Sequence, residues 1–379
     1  MKHLAIFGST GSIGRQTLKI VRSLPNLFNV VALAAHGSNR DLFFEQILEF
    51  SPSIVSVYDQ KLYCEIIQAF PNIQVFFGEE GLLAAATAEE VDTVVAASSG
   101  VVALPAVVEA IKAGKMLALA NKEVLVSAGE IFKGLIKKHQ TRILPVDSEH
   151  NALYQCLEGR DPIDIKKLIL TASGGPLLHK PKEELSRVTI QDVLNHPIWN
   201  MGKKVTVDSS TLMNKCLEII EAYWLFDLKD ADIDAVIHPQ SLIHGMVEFA
   251  DGTVISVMNP PSMLFPIQHV LTTPKRCPTP HEGMDFSKKQ ILEFLPIDEE
   301  RFPSIGLARQ VLKDQGSSGA FLNAANEVLV QRFLTEEIAW CDILNKLMKL
   351  MENYKVSSCT SLDDVFAVDK EARALAHEI

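Results

Sequence analysis

The chain has 379 residues, of which 47% are hydrophobic and 22% are charged, and its formal net charge is −11. This length exceeds what one hydrophobic core usually supports, so we expect a globular protein of two or three domains. The acidic balance argues against a nucleic-acid binder, since phosphate backbones are held by basic faces, but it leaves room for a small phosphorylated substrate.

Cysteine usage and hydropathy indicate the compartment. The six cysteines include no Cys-x-x-Cys pair, which indicates reduced thiols and neither disulfides nor a zinc site. A strand-like run at residues 2–7 opens the chain, so we expect no targeting segment before the fold. No apolar run approaches the roughly 18 residues that a membrane span needs. We therefore expect a cytoplasmic protein that binds no membrane.

Residues 1–146 alternate short apolar runs with helical patterns. The runs lie at 4–7, 30–35, 54–58, 75–77, 91–97, 116–120 and 143–146. Strands that are apolar throughout and are separated by helices form a parallel sheet with both faces covered. We therefore predict an α/β fold that begins with a Rossmann-like, doubly wound domain over residues 1–146.

The pattern changes after residue 146. Over 147–270 we predict an α+β domain, in which Asp251-Gly252 joins two alternating strands within Gly245–Met258 as a hairpin. Five prolines interrupt 271–303, which predicts a connector. Amphipathic patterns at 320–334 and 338–351 then predict a C-terminal all-α domain over 304–379.

Three glycines, Gly8, Gly11 and Gly14, follow the first strand directly and open a helix. Glycine permits a tight turn and close backbone approach, and the N–H groups at a helix start attract a pyrophosphate. The turn therefore predicts a dinucleotide site. A strand-to-helix turn without a ligand is the alternative, because glycine-rich turns alone are weak signals.

The end of the second strand indicates which dinucleotide is bound. An NAD site usually has Asp or Glu here for the ribose 2′-hydroxyl, whereas this chain has His36-Gly37-Ser38-Asn39-Arg40. Polar donors together with Arg40 suit a 2′-phosphate, which favours NADPH. The alternative is that Arg40 is only a solvated residue at a helix start.

Acidic residues indicate a metal site. Asp147-Ser148-Glu149 follows a strand, and residues two apart on an extended chain point the same way, so we expect Asp147 and Glu149 to converge. A third acid, Glu218, lies on a helix predicted from about Ser210 to Phe226. Three carboxylates without a His/Cys cluster favour a hard cation, Mg²⁺ or Mn²⁺. The alternative is an acidic strand end and a surface glutamate.

Other residues supply donors for a phosphate. Asn214 shares a helix face with Glu218, and Lys215 is their neighbour. Hydroxyl groups come from Ser173-Gly174-Gly175 and from Ser209-Ser210, although an N-cap role for these last two serines is equally consistent with the sequence.

A Gly-ended polar loop at 196–202 contains Trp199 and Met201. Large apolar side chains in a polar loop are typical of a lid that closes over a ligand. The alternative is that Trp199 packs in the core.

Seven sequence motifs follow one another along the chain. They are GSTGSIG at 8–14, LANKE at 119–123, PVDSEHNA at 145–152, TASGGP at 171–176, HPIWNMGKKVTVDSSTLMNKCLEIIEA at 196–222, HPQSLIH at 238–244 and LNAANEV at 322–328. Over nearly its whole length the chain closely resembles the 1-deoxy-D-xylulose 5-phosphate reductoisomerases. The resemblance implies a homodimeric enzyme that rearranges this ketose phosphate and reduces the product with NADPH to 2-C-methyl-D-erythritol 4-phosphate, in the non-mevalonate isoprenoid route.

The resemblance also implies roles for individual residues. The metal ligands would be Asp147, Glu149 and Glu218, for Mg²⁺ or Mn²⁺ with Co²⁺ as a further candidate. The substrate contacts would be Lys122, Ser148, Ser173, Ser209, Asn214 and Lys215, with His244 nearby and with His196, Trp199 and Met201 on a flap at 196–204. The coenzyme contacts would be Gly8, Thr10, Gly11, Ser12, Ile13, Gly14, Gly37, Ser38, Asn39, Arg40, Asn121, Glu123 and Gly202.

Three positions depart from the family pattern. Ser38 replaces a common Lys or Arg, Cys216 replaces a usual Gly, and MLFP at 263–266 replaces a run that contains Met-Arg. Two other functions remain open. One is another NADP-linked dehydrogenase of small carbonyl compounds, which would work in EDTA, and the other is an NADPH-binding regulator without turnover.

Overall fold

The structure, a computed structural model, describes residues 1–379, and the chain divides into two compact units. The first contains Met1–Val124, Phe132–Asn151 and Met263–Glu282, and the second contains Leu125–Ile131, Ala152–Ser262 and Gly283–Ile379. These units are not delimited by the predicted boundaries after residues 146, 270 and 303, so the predicted division stays a prediction. No helix has both the length and the hydropathy to cross a membrane.

A seven-stranded sheet forms the centre of the first unit. Its strands are β1 Lys2–Phe7, β2 Phe28–Ala35, β3 Ile54–Val57, β4 Gln74–Phe77, β5 Thr93–Ala96, β6 Met116–Leu119 and β7 Ile143–Pro145. Their order is β4-β3-β2-β1-β5-β6-β7, and every neighbouring pair is parallel. All seven apolar runs of the sequence form strands, which confirms the predicted doubly wound α/β fold.

Helices alternate with these strands. They are α1 Ser12–Ser23, α2 Arg40–Phe50, α3 Gln60–Ala69, α4 Gly78–Thr87, α5 Leu104–Lys112, α6 Lys122–His139 and α7 Ser148–Leu157. The strand order reverses at β1, which lies between β2 and β5. Ligands of doubly wound sheets bind at such a switch point, outside the carboxyl ends of the strands. The glycine turn starts at the carboxyl end of β1, so it lies at this point.

The second unit contains a mixed sheet of four strands in the order β11-β10-β8-β9. They are β8 Ile165–Ala172, β9 Ile233–Ile237, β10 Ile243–Phe249 and β11 Val254–Met258. Strand β8 is parallel to β9 and antiparallel to β10, which in turn is antiparallel to β11. The turn between β10 and β11 contains Gly252 at φ 84°, and the predicted hairpin is confirmed.

The remaining helices are α8 Ile190–Leu194, α9 Lys203–Ser210, α10 Met213–Phe226, α11 Leu264–Thr272, α12 Ser304–Asp314, α13 Ser318–Leu334, α14 Trp340–Asn353 and α15 Leu362–Glu378. Helix α11 belongs to the first unit and the others to the second. Between α11 and α12 the chain forms no helix, and its one β-bridge joins Leu295 to Ile237. The prolines of this segment predicted such irregular structure.

Candidate active site

The glycine turn is shaped by close backbone contacts. Gly8 has φ +74°, and a Cβ atom there would lie 2.6 Å from the carbonyl oxygen of Ala97. A Cβ at Gly14 would lie 2.3 Å from the carbonyl oxygen of Gly8, so this helix start packs directly on the turn. Gly11 caps α1 without a side-chain hydrogen bond, which leaves the first N–H groups of the helix to an anion. The turn therefore fits a pyrophosphate.

The residues after β2 occupy a second turn at the same edge of the sheet. Asn39 caps α2 through a hydrogen bond from the backbone N–H of Leu42, at 3.3 Å. Arg40 is the first residue of α2 and is exposed, and its guanidinium lies 2.5 Å from Glu65 and 2.9 Å from Asp41. These pairs place Arg40 at a helix start and hold its positive charge beside the turn. Both interpretations from the sequence therefore remain open.

The end of β6 carries the LANKE motif. Asn121 is buried, and its side-chain amide donates to the carbonyl oxygens of Ser98 and Gly100, both at 2.6 Å. It therefore braces the loop that follows β5. Lys122 and Glu123 begin α6, and the ammonium of Lys122 lies 2.7 Å from the carboxylate of Asp147.

The Asp147-Ser148-Glu149 motif has a different local structure from the one predicted. Strand β7 ends at Pro145, and α7 begins at Ser148, with the carbonyl of Asp147 accepting the first helical bond at 2.8 Å. The predicted extended strand is therefore wrong here, whereas the predicted convergence is observed, since carboxylate oxygens of Asp147 and Glu149 lie within 4.8 Å of each other. Asp and Ser favour helix starts, because their oxygens compete for the first N–H groups.

Two further contacts define this acidic segment. Ser148 donates to the carboxylate of Glu149 at 2.5 Å. His150 is completely buried, and its Nδ1 atom lies 3.8 Å from the carboxylate of Asp147. His150 is not among the residues predicted for the site, although its position three residues after Asp147 at a helix start indicates that the two side chains can meet.

Helix α10 places Asn214 and Glu218 one turn apart, as the sequence predicts, and Glu218 is buried rather than at the surface. Glu218 is 0% and Lys215 is 2% exposed. The carboxylate of Glu218 accepts hydrogen bonds from both Asn214 and Lys215, and the ammonium of Lys215 also donates to the carbonyl of Thr171 at 2.5 Å. Buried charges are stable only when they are paired and hydrogen-bonded. Asn214, Lys215 and Glu218 therefore form a hydrogen-bonded polar site in the second unit.

The two serine motifs are in direct backbone contact. Gly175 has φ +71°, and a Cβ atom there would lie 2.4 Å from the carbonyl oxygen of Ser209. Ser209 and Ser210 end α9, and α10 begins only at Met213. The alternative that these serines cap the following helix is therefore wrong, and so is the predicted continuous helix from Ser210. The intervening Leu212 is left-handed, with φ 55°.

His196 connects the flap segment to the first serine turn. Its Nδ1 atom accepts hydrogen bonds from the backbone N–H groups of Ile198 and Trp199, at 3.1 and 2.9 Å. Nε2 therefore carries the hydrogen, and it lies 3.0 Å from the hydroxyl oxygen of Ser173. Burial lowers the pKa of His196 to about 4, so the imidazole is neutral at physiological pH.

The segment between α8 and α9 has no regular structure and contains the other flap residues. Trp199 and Met201 are partly buried, and Gly202 precedes α9 as its N-cap. The indole of Trp199 contacts the ring of His244 edge-on, with ring centroids 6.0 Å apart. Burial lowers the pKa of His244 to about 4, and the charge of Lys215 also lowers it.

Comparison with known proteins identifies the family. The model of 1-deoxy-D-xylulose 5-phosphate reductoisomerase matches residues 4–129, the model of its C-terminal domain matches 143–226, and the model of the DXP reductoisomerase C-terminal domain matches 258–375. The curated reductoisomerase of Chlamydia caviae is 80% identical and that of Chlamydia pneumoniae 66%, over 100% of each chain. The chain belongs to the 1-deoxy-D-xylulose 5-phosphate reductoisomerase family.

Solved structures of reductoisomerases agree with this family. DOX-P reductoisomerase in complex with NADPH, fosmidomycin and magnesium is 37% identical, with a TM-score of 0.95 over 100% of this chain and 98% of that one. The Zymomonas mobilis reductoisomerase in complex with NADPH is also 37% identical, with a TM-score of 0.93 over the same shares. The predicted class of NADP-dependent oxidoreductase is confirmed.

The structure shows the environment of two residues that depart from the reductoisomerase pattern, Ser38 and Cys216. Ser38 is exposed in the turn after β2, beside Asn39 and Arg40. Cys216 is completely buried in α10, and burial raises the pKa of its thiol, so the thiol stays protonated and acts as a small apolar residue.

Proposed function

We propose that this chain is the NADPH- and divalent-metal-dependent enzyme that converts 1-deoxy-D-xylulose 5-phosphate to 2-C-methyl-D-erythritol 4-phosphate, in the non-mevalonate route to isoprenoids. The single observation that carries the proposal is the buried face of α10. It offers the carboxylate of Glu218, the amide of Asn214 and the ammonium of Lys215 side by side, in a chain that belongs to the reductoisomerase family over its full length.

NADPH would bind in the first unit. Gly8, Gly11 and Gly14 bring backbone N–H groups to the pyrophosphate, and the open start of α1 supports this role. Residues from Gly37 to Arg40 would hold the 2′-phosphate. Further coenzyme contacts would come from residues next to these turns and from the LANKE and flap segments: Thr10, Ser12, Ile13, Asn121, Glu123 and Gly202.

A divalent cation would be held by Asp147, Glu149 and Glu218, and the proximity of Asp147 and Glu149, which have carboxylate oxygens within 4.8 Å of each other, supports this role. Oxygen donors of this kind suit Mg²⁺ or Mn²⁺, with Co²⁺ as a further candidate. When bound, the ion supplies Lewis-acid polarisation and a template for neighbouring carbonyl and hydroxyl oxygens.

The side chains of the second unit would bind the substrate phosphate. Ser173 accepts a hydrogen bond from neutral His196 and another from the backbone N–H of Gly175, at 3.2 Å, so its own hydroxyl hydrogen is directed to a further acceptor. Ser209, Asn214 and Lys215 would add donors to the same phosphate.

The remaining residues would act on the reacting part of the substrate. Lys122 would stabilise a developing alkoxide with its ammonium, and Ser148 would orient the substrate backbone. Trp199 and Met201 would close over the bound aldehyde, which keeps water out until hydride is delivered. His244, neutral beside Trp199, would support the closed flap.

One assay tests the proposal. NADPH absorbance is followed with 1-deoxy-D-xylulose 5-phosphate and Mg²⁺, before and after EDTA. We expect oxidation of NADPH that stops in EDTA and returns with Mg²⁺. Turnover of another carbonyl compound that persists in EDTA would favour the alternative of a different NADP-linked dehydrogenase. NADPH binding without any turnover would favour a regulator.

We also propose a cytoplasmic homodimer. The segment between α11 and α12 exposes large apolar side chains, with Phe286 at 73% and Ile291 at 54% exposure. Such exposed apolar surface is typical of an interaction site, and a second copy of this chain is the proposed partner. Light scattering should give twice the mass of 41.8 kDa, and a double variant Phe286→Ser/Ile291→Ser should shift the mass toward one chain.

A further inference from the structure

The LNAANEV segment at 322–328 is a motif to which the proposed function gives no role. It lies in α13, and both of its asparagines are completely buried. A buried amide requires hydrogen-bond partners, because burial without them costs free energy. Asn323 donates to Glu327 one turn along the same helix, at 3.2 Å, whereas Asn326 donates to Asp208 of α9, at 2.9 Å.

Asp208 is 1% exposed, so its carboxylate depends on partners within the protein. Its two oxygens are paired separately. Oδ1 accepts the hydrogen bond from Asn326, and Oδ2 lies 2.9 Å from the ammonium of Lys204. Lys204 belongs to α9 itself, so Asn326 is the partner that ties this buried charge, and with it α9, to α13.

A second hydrogen bond holds α9 at Ser210, two residues after Asp208. The indole N–H of Trp340 in α14 donates to the hydroxyl of Ser210, at 2.8 Å in a buried position. Successive residues lie about 100° apart around an α-helix, so positions 208 and 210 are on nearly opposite sides. Ser209 lies between the two ties, and its carbonyl packs on the backbone of Gly175. The hydrogen bonds to Asp208 and Ser210 therefore hold the position of the Ser209 motif and, through its contact with Gly175, that of the Ser173 motif.

We propose that Asn326 is a positioning residue for the substrate phosphate. Through Asp208 it holds α9 in the orientation that presents the hydroxyl of Ser209 and supports the turn of Ser173. This inference rests on the proposed function, in which these serines bind phosphate. Asn326 itself touches no ligand, so its loss should weaken binding of the phosphorylated substrate and leave the coenzyme site unchanged.

The test uses matched carboxylate substitutions on α13 in the full-length enzyme. Asn326→Asp places a second carboxylate against Asp208, and we expect the KM for 1-deoxy-D-xylulose 5-phosphate to rise about tenfold, since small displacements of binding groups have large effects. The KM for NADPH should stay within about twofold. The control is Asn323→Asp, which places a carboxylate against Glu327 in the same buried helix, because the amide of Asn323 donates within α13 and not to Asp208. It should lower the thermal midpoint and leave both KM values unchanged.

A double variant distinguishes loss of the Asn326–Asp208 hydrogen bond from a general loss of protein stability. Asp208→Asn combined with Asn326→Asp restores an amide–carboxylate pair with exchanged partners, and the substrate KM should return to within about threefold of the wild-type value. If Asn326→Asp does not fold, Asn326→Ser shortens the donor and should raise the substrate KM about threefold. A loss of folded enzyme lowers kcat but changes neither KM.

Three results would overturn the inference: an unchanged substrate KM in the folded Asn326 variants, an equal rise in Asn323→Asp, or no recovery in the double variant. Failure of the proposed function looks different, because wild-type enzyme would then not oxidise NADPH with this substrate and Mg²⁺ at all.

Discussion

The Nε2 atom of His196 lies 3.0 Å from the hydroxyl oxygen of Ser173, while its Nδ1 atom accepts two backbone N–H groups of the flap. One neutral imidazole therefore joins the loop that carries Trp199 to the turn proposed to bind phosphate. Protonation would place a hydrogen on Nδ1 and remove both acceptor contacts, because an imidazolium has only donors. Closure of the flap should thus depend on the neutral ring.

This dependence predicts a pH effect on substrate binding. The pKa of His196 is about 4 in this buried site, below its ordinary 6.5. The pKa of His196 is lower in the ordered flap than in a flexible one. The contribution of His196 to the stability of the ordered flap is therefore complete above pH 6.5 and is lost as the pH falls toward 4. We expect the KM for the ketose phosphate to rise up to about tenfold between pH 7.5 and 5.5.

The control for this effect is His196→Gln, which does not titrate in this range. Its substrate KM should be higher at pH 7.5 and should change over the same range only as far as the substrate phosphate itself titrates. Parallel pH profiles of the two enzymes, measured as substrate KM, would contradict the role assigned to His196.

The contact between Gly175 and Ser209 predicts a graded effect of two glycine substitutions. Gly175→Ala adds a Cβ atom 2.4 Å from a carbonyl oxygen at φ +71°, whereas Gly252→Ala adds one at φ +84° in open space. Left-handed backbone alone should cost Gly252→Ala about 1 kcal/mol of unfolding free energy. The collision should bring the cost for Gly175→Ala to about 3 kcal/mol.

Denaturant unfolding of both variants measures this difference, and substrate KM measures its consequence. Gly175→Ala should also raise the KM for the ketose phosphate about tenfold, because the turn and Ser209 are pushed apart. Gly252→Ala should leave the KM unchanged. Equal unfolding free energies for the two variants would show that the turn can yield at this contact.

Much of the fold could be predicted from the sequence because its signals are local and repeated. Each strand of the first sheet is a short apolar run, and burial on both faces of a parallel sheet requires that pattern. The glycine turn was recognisable for a similar reason: Gly8 and Gly14 both lie where a Cβ atom would collide with backbone. Such positions are restricted to one residue type.

Other parts of the site depend on local competition or on distant partners. Asp147 and Ser148 compete for helix N–H groups and end the strand earlier than the apolar pattern indicates. Thr211 bonds back to the carbonyls of Val207 and Asp208 and helps to separate α9 from α10. The Asp208–Asn326 hydrogen bond joins residues 118 positions apart, and no periodicity in the sequence indicates such a pair.

The turn after β2 predicts a coenzyme preference. Arg40 is held beside the turn by Glu65, and Ser38 offers no charge, so Arg40 is the cation proposed for the 2′-phosphate. Arg40→Ala should raise the KM for NADPH about tenfold and leave that for NADH unchanged, because a charge-assisted contact to one phosphate is lost. The control is Arg22→Ala, which breaks a similar Arg–Glu pair with Glu49, 2.5 Å in length, at the other end of α1. An equal effect of both substitutions would assign Arg40 a structural role only.

The polar face of α10 predicts that chemistry and coenzyme binding can be separated. Glu218 accepts hydrogen bonds from Asn214 and Lys215 and is the proposed metal ligand of the second unit, whereas the glycine turn belongs to the first. Glu218→Gln keeps the shape of the side chain but removes its charge, so kcat should fall by about a thousandfold or more at saturating Mg²⁺. The NADPH dissociation constant, from fluorescence titration, should stay within about twofold. Glu327→Gln, which removes a partly buried carboxylate paired with Arg373, is the control and should leave kcat unchanged. A large loss of NADPH affinity in Glu218→Gln would contradict the assignment of coenzyme and metal to different groups of residues.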